Sequence, residues 1–115
     1  MYKPNPAQII KKSLLDTKAV IQQPVEARNS LGEFTLTWSD WATRYIALLP
    51  LSGTETINAL ALEAVVTHRI RMRYTQGLQP KYRIVAEGRT FDIISVLERG
   101  RRVEHELLVT EVIDG

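Results

Sequence analysis

Apolar and polar residues alternate along much of the chain, which is the pattern of half-buried β-strands. In residues 65–74 (VVTHRIRMRY), Val66, Ile70 and Met72 fall on one face and the arginines fall on the other. Residues 34–38 (FTLTW) show the same period of two and are rich in β-forming residues. Both segments are therefore predicted to be strands with one face in a core.

Further strand segments are separated by short turns, so consecutive antiparallel strands are expected. Ser39 and Asp40 interrupt the alternation after residue 38, and Glu87-Gly88 has the composition of a tight hairpin turn. The predicted strand segments cover residues 18–26, 34–38, 41–50, 65–74, 81–87, 90–97 and 103–112.

One segment has the pattern of a helix instead. Ser52 and Glu55 have the spacing of a capping box, in which each side chain bonds the backbone N–H of the other residue. Four apolar residues then recur at helical spacing and form one stripe: Ile57, Leu60, Ala61 and Ala64. A short helix is therefore expected between two strands.

These elements predict a mainly β protein, a small antiparallel β-barrel of about six strands with one short inserted helix and an extended N-terminal arm. A closed barrel leaves no exposed strand edge for aggregation. The arm is assigned to residues 1–17 and the barrel domain to residues 18–115, since the first residues carry prolines and lysines without a period. The candidates for contact between the arm and a neighbouring subunit are its apolar residues Ile9, Ile10, Leu14 and Leu15.

Length and composition limit the class of protein. A chain of 115 residues is expected to form one domain with a modest core. No apolar stretch approaches the ~20 residues that span a bilayer, and no signal peptide is recognised, so no membrane partner is expected. The absence of cysteine excludes disulfides and thiolate chemistry and favours synthesis and assembly in the cytoplasm.

No catalytic or metal-binding constellation is evident in the sequence. His68 and His105 lie on the apolar sides of predicted strands and have no ligand motif nearby. The carboxylates of Asp92, Glu104 and Glu106 are expected on a solvated face. No phosphate-binding glycine loop or nucleophile motif occurs. The chain is therefore predicted to have no enzymatic activity, no cofactor and no metal.

Basic residues are concentrated in one stretch, since no acidic residue lies between Glu63 and Glu87. Three arginines there project from one face of a strand, about 6.5 Å apart along it. Forked guanidinium groups suit phosphates or carboxylates. The candidates for binding DNA or a partner protein are Arg69, Arg71, Arg73, Lys81 and Arg83. The alternative is that these residues only form the wet face of the strands.

Seven short motifs follow one another from the first predicted strand onward. They are IQQPV at 21–25, WSDWAT at 38–43, LPLSG at 49–53, THRIRMRY at 67–74, RIV at 83–85, GRTFDI at 88–93 and ELL at 106–108. In this order the chain resembles the phage head–tail joining family, whose members are also called head closure, stopper or head–tail adaptor proteins. The N-terminal arm is the departure from the family's pattern.

The resemblance implies a structural virion protein of the phage neck. It implies a homo-oligomeric ring, of about twelve or six subunits, that closes the DNA-filled head and provides the docking surface for the tail. The implied partners are further copies of the chain, the portal adaptor protein, the tail terminator and tail proteins, and the packaged genomic DNA in the channel. The implied plug or inter-ring segment consists of Leu51, Ser52, Gly53, Thr54, Glu55, Thr56, Ile57 and Asn58.

Two other functions fit the sequence. A tail-completion or tail-terminator protein is similar in size and in β content. A free-standing small β-barrel that binds nucleic acid would explain the basic stretch without a ring, and its binding would weaken with salt. The THRIRMRY segment at 67–74 favours the head–tail joining family over both.

Overall fold

The computed structural model describes residues 15–51 and 66–113, which form six β-strands and no helix. The strands are β1 (Thr17–Arg28), β2 (Phe34–Pro50), β3 (His68–Arg73), β4 (Arg83–Ala86), β5 (Arg89–Arg99) and β6 (Glu104–Val112). The helix predicted after Ser52 lies outside the described residues.

The six strands close into an antiparallel barrel with the order β1-β2-β3-β6-β5-β4. β1 pairs with β2 on one side and with β4 on the other, which closes the ring of strands. The predicted small antiparallel barrel is confirmed. Since β3 and β4 are three positions apart in a ring of six, they lie on opposite sides of the barrel.

Side chains from all six strands fill the interior of the barrel. Alternate residues of β3 lie inside, as predicted, and Ile70 and Met72 are fully buried. Burial of apolar surface of this kind contributes about 25 cal/mol per Å². The buried core residues are Ala19, Ile21, Ile46, Ile70, Met72, Tyr82, Ile84, Ala86, Phe91, Ile93, Leu107 and Val109.

β2 is one continuous strand of 17 residues, although the sequence predicted a break before Trp41. Ile21 pairs with Ala42 and Gln22 pairs with Asp40, so Trp41 is an extra residue on β2. An extra residue opposite one partner is a β-bulge, which disturbs the alternation without ending the strand. The prediction of two strands was wrong for this reason.

Two turns have the chemistry that the sequence predicted. Glu87 and Gly88 have positive φ angles of 53° and 70°, as the two central residues of a type I′ hairpin do. Between β1 and β2, the side-chain oxygen of Asn29 accepts hydrogen bonds from the backbone N–H groups of Leu31 and Glu33. These local bonds fix the turn at the end of the longest hairpin.

The end of the predicted arm packs on the barrel of its own chain. Leu15, a predicted subunit contact, is buried against Ala47 of β2. β1 begins at Thr17, and the division into an arm and a barrel domain at residues 17 and 18 stays a prediction. No helix in the described part of the chain is long and apolar enough to cross a membrane.

Candidate functional site

The hairpin of β1 and β2 extends beyond the closed barrel. β4 pairs with β1 only at residues 19–22, and β3 pairs with β2 only at residues 46–50. Past these points, neither outer edge of the hairpin has a strand partner in the described part of the chain. At ~3.3 Å per residue, the segment Gln23–Arg28 projects by about 20 Å. Residues 23–40 are called the projecting hairpin below.

Large exposed apolar side chains are concentrated on the projecting hairpin. Leu31, Phe34 and Leu36 are 80%, 68% and 57% exposed. Phe34 and Leu36 share one face with Trp38, as the period of two predicted. The prediction that this face lies in a core was wrong, because this part of the hairpin extends beyond the barrel. A contiguous group of apolar side chains in water marks an interaction surface.

The bulge at Trp41 determines the direction in which this apolar face points. One extra residue reverses the alternation of side chains along a strand. Between the bulge and the end of β2, Tyr45 points outward because Ile46 lies in the core. On the other side of the bulge, the even-numbered residues point outward. The face formed by Phe34, Leu36 and Trp38 is therefore continuous with the outer surface of the barrel.

A polar network on that outer surface holds the root of the hairpin. Arg83 on β4 donates a hydrogen bond of 2.7 Å to the side chain of Gln22, which donates one of 2.9 Å to Asp40. The Arg83 guanidinium also lies over the Trp38 ring, 4.3 Å from its centroid, in a cation–π contact. Arg83, a predicted binding residue, thus contacts the hairpin of its own chain.

A groove of about 380 Å³ lies on the outer surface of β2 and β3, beside the root of the hairpin. Its walls are mostly apolar, and it is called the outer groove below. Arg44 donates to Thr75 Oγ1 and to a backbone oxygen, whereas Arg73 has no carboxylate partner among the described residues. The outer groove is lined by Leu15, Thr43, Arg44, Tyr45 and Arg73.

Two arginines of the predicted stripe are paired with carboxylates of β6. Arg71 Nη2 lies 3.1 Å from Glu104 Oε1, and Arg69 Nε lies 2.8 Å from Glu106 Oε1. Glu106 also pairs with Arg99 Nη2 at 2.6 Å. The expectation of a solvated face was wrong for Glu104 and Glu106, which are buried because β6 lies beside β3 and the arginines cover the carboxylates.

The five predicted binding residues do not form one surface. Arg69, Arg71 and Arg73 are on β3, and Arg83 is on β4 on the opposite side of the barrel. Lys81 is exposed in the turn that precedes β4. A role for these residues in binding DNA or a partner stays a prediction.

A basic turn between β5 and β6 was not identified as a candidate site from the sequence. It contains the run RGRR at 99–102, in which Arg101 and Arg102 have positive φ angles of 48° and 65°. Residues other than glycine rarely adopt this conformation. Val103 N–H donates to the oxygen of Arg99 and closes the turn at the same barrel end as the projecting hairpin. The high proportion of arginine in residues 99–102 was the signal in the sequence that could have identified this turn.

The surroundings of His68 indicate packing rather than catalysis. Arg89 Nη2 donates to His68 Nε2 at 3.1 Å and to Glu111 Oε1 at 2.6 Å. Burial and then the Arg89 charge lower the pKa of His68, against an opposing effect of Glu111. The hydrogen bond from Arg89 lowers the pKa of Glu111. No cluster of three potential metal ligands occurs in residues 15–51 and 66–113.

Most of the predicted plug segment and arm lies outside the described residues, namely Ser52 to Asn58 and Ile9, Ile10 and Leu14. Leu51 is described, and its N–H donates to the oxygen of Thr67 at 3.1 Å. This bond joins the two chain ends from which the connection between β2 and β3 leaves, at the barrel end opposite the projecting hairpin.

Comparison with known proteins gives one family and several similar solved structures, two of which follow. The family model described as phage head completion protein matches residues 10–112. The solution structure of protein SF1141 from Shigella flexneri 2a has a TM-score of 0.73 and 29% sequence identity, over 89% of this chain and 96% of that chain. No curated protein sequence matches the chain.

The second similar structure is a chain in the virion of a native gene transfer agent particle. Its TM-score is 0.57 and its sequence identity is 18%, over 84% of this chain and 94% of that chain. At this identity the likeness shows a shared fold.

Proposed function

Because the chain belongs to the phage head completion protein family, it is a bacteriophage virion protein with a structural role, and we propose that it forms a ring in the phage neck. A head completion protein associates with other virion proteins. The proposed ring lies between the portal with its adaptor and the tail. It closes the DNA-filled head and presents the docking surface for the tail.

The projecting hairpin is the observation that carries this proposal. Its apolar face is exposed, and strand edges without a partner are sites where further chains can pair. A ring subunit needs surface for two lateral neighbours and for the layers above and below it. The projecting hairpin and the outer groove are two separate surfaces of this kind on one small barrel.

The charge distribution supports a protein-binding role for the outside of the barrel. Arg69 and Arg71 are compensated by Glu106 and Glu104, which reduces the positive field over β3 and β6. The basic turn at 99–102 is a further candidate for contact with DNA phosphates in the channel, beside the residues predicted from the sequence. A ring of about twelve or six subunits and a plug formed by residues 51–58 belong to the same proposal.

Cryo-electron microscopy of the purified virion neck tests the proposal. The expected result is a ring of barrels of this fold between the portal adaptor and the tail, from which the number of subunits is counted. Density for the chain at the head-facing end of the tail tube alone would instead support a tail terminator. Absence of the chain from complete virions would overturn both.

A second candidate function is nucleic-acid binding by the free chain, which the basic turn at 99–102 favours. It predicts that the isolated full-length protein binds duplex DNA with an affinity that falls steeply with salt. It also predicts that Arg101→Ala with Arg102→Ala reduces the salt dependence. Under the ring proposal, the free chain shows only weak DNA binding at physiological salt.

A further inference from the structure

We propose that the projecting hairpin of one copy docks into the outer groove of a second copy, head to tail around the ring. The inference rests on the proposed function, because it names the lateral contact of the proposed ring. It joins two surfaces that are both present on this chain and that differ from each other. Contacts between two different surfaces propagate from copy to copy and close into a ring when the rotation allows.

The two surfaces match in polarity. The hairpin presents Phe34 and Leu36 to solvent on one face. The groove walls are mostly apolar, with Leu15 and Tyr45 among the residues that line them. Its volume of about 380 Å³ lies within the range of ~300–1,000 Å³ that is typical of binding pockets. Docking would remove both apolar surfaces from water.

The two surfaces also offer one complementary pair of charges, although Arg28 lies on the same hairpin face, 4.4 Å from the centroid of the Phe34 ring. Arg73 lines the groove without a carboxylate partner among the described residues, because both oxygens of the nearby Glu104 accept from Arg71. On the hairpin, Glu26 is exposed and pairs across the strands with Leu36, so the two residues lie on the same face. Insertion of Leu36 into the apolar groove would therefore bring the Glu26 carboxylate towards Arg73.

The contact must join two copies, because a chain cannot place its own hairpin in its own groove. Leu36 and Tyr45 are on the same continuous strand. At ~3.4 Å per residue, the nine residue steps from Leu36 to Tyr45 span about 30 Å. A disulfide requires Cα atoms within about 7 Å. Any disulfide between these two positions therefore links different copies.

The test uses the full-length chain, which contains no cysteine. A variant with Leu36→Cys and Tyr45→Cys is supplied to particles that lack the wild-type protein, and the purified particles are oxidised. The expected result is a ladder of covalent multimers on a non-reducing gel, ending at the subunit number of the ring. Each single-cysteine variant is expected to give no species above a dimer.

The matched control is Thr35→Cys with Tyr45→Cys, since Thr35 is on the opposite face of the hairpin from Leu36. It is expected to give no ladder above a dimer under the same oxidation. A charge pair gives a second readout: Glu26→Arg is expected to lower incorporation into particles on the order of tenfold. Adding Arg73→Glu to the same chain is expected to restore it.

The outcomes separate this inference from the proposed function. If particles contain the variant but no ladder forms, the hairpin contact is wrong and the neck ring stands. Dimers alone would show a symmetric pair and would overturn the head-to-tail arrangement. If no disulfide-linked species forms and the density of the hairpin lies against another virion protein, the hairpin binds that protein instead of a second copy. If the wild-type chain is absent from the neck, the proposed function itself fails.

Discussion

Arg71 donates two hydrogen bonds to the carboxylate of Glu104, from Nε to Oε2 at 3.2 Å and from Nη2 to Oε1 at 3.1 Å. The pair runs diagonally between β3 and β6, since the direct partner of Glu104 is Arg73. The Glu104 side chain is only 2% exposed. A buried carboxylate needs such a partner, because an unpaired charge in the interior is strongly unfavourable.

Arg71→Met is expected to lower the free energy of unfolding by about 2–4 kcal/mol, because it leaves the buried Glu104 without its cation. The expected loss is below that of a fully buried pair, since the guanidinium is 29% exposed and partly screened by water. Urea unfolding of the full-length chain measures it. The matched control is Arg73→Met on the same face of β3, with an expected change within about 0.5 kcal/mol.

The double variant Arg71→Met with Glu104→Leu tests whether the unpaired charge of Glu104, rather than disturbed packing at Arg71, causes this loss of stability. It removes both charges, so most of the stability lost in the single variant is expected to return. If the single variant unfolds at the same urea concentration as the Arg73→Met control, the Arg71–Glu104 ion pair contributes nothing to stability.

Two aromatic residues on β2 are expected to respond to substitution in opposite ways. The Trp41 ring lies 5.0 Å from that of Tyr82 and packs against the core. Trp41→Ala is therefore expected to cost about 3–5 kcal/mol. Phe34 is 68% exposed and has only a surface cation–π contact with Arg28, so Phe34→Ala is expected to cost no more than about 0.5–1 kcal/mol. Thermal unfolding followed by circular dichroism measures both, and equal losses would show that the hairpin face is structural.

Much of the fold could be predicted from periodicity. The two faces of β3 and the turn at Glu87-Gly88 were predicted and are confirmed. The apolar face from Phe34 to Trp38 was also predicted. The order of short motifs indicated a phage head–tail family, which the match over residues 10–112 confirms.

The rest depended on contacts between distant residues. The burial of Glu104 and Glu106 requires β6 to lie beside β3, and strand order cannot be read from alternation. The bulge at Trp41 is a property of the pairing between β1 and β2. The outer groove joins Leu15 to Arg73, which are far apart in sequence. The outer groove therefore could not be predicted from the sequence, although the apolar face of the projecting hairpin could.

Backbone strain in two turns gives a pair of opposite predictions. Gly32 has a φ of 79° and no atom within 4 Å of an added Cβ, so Gly32→Ala is expected to cost about 1 kcal/mol from backbone strain alone. Arg101 has a φ of 48°, and Arg101→Gly is expected to stabilise by about 0.5–1 kcal/mol after the entropy cost of glycine. Urea midpoints of both variants measure this. A loss of stability in Arg101→Gly would show that its side chain stabilises the turn.

The stability of the barrel is expected to fall as the pH drops below 6.5. Thr75 N–H donates to His105 Nδ1 at 3.2 Å, and burial lowers the pKa of His105 from 6.5, against an opposing effect of Glu98. The pKa of His68 is also lowered. The unfolded chain therefore binds more protons, so the stabilisation is complete above pH 6.5 and is lost as the pH falls through the folded pKa values. Urea midpoints from about pH 8 to pH 5 measure this. His105→Gln is expected to flatten the dependence, and an unchanged slope in that variant would exclude His105 as its source.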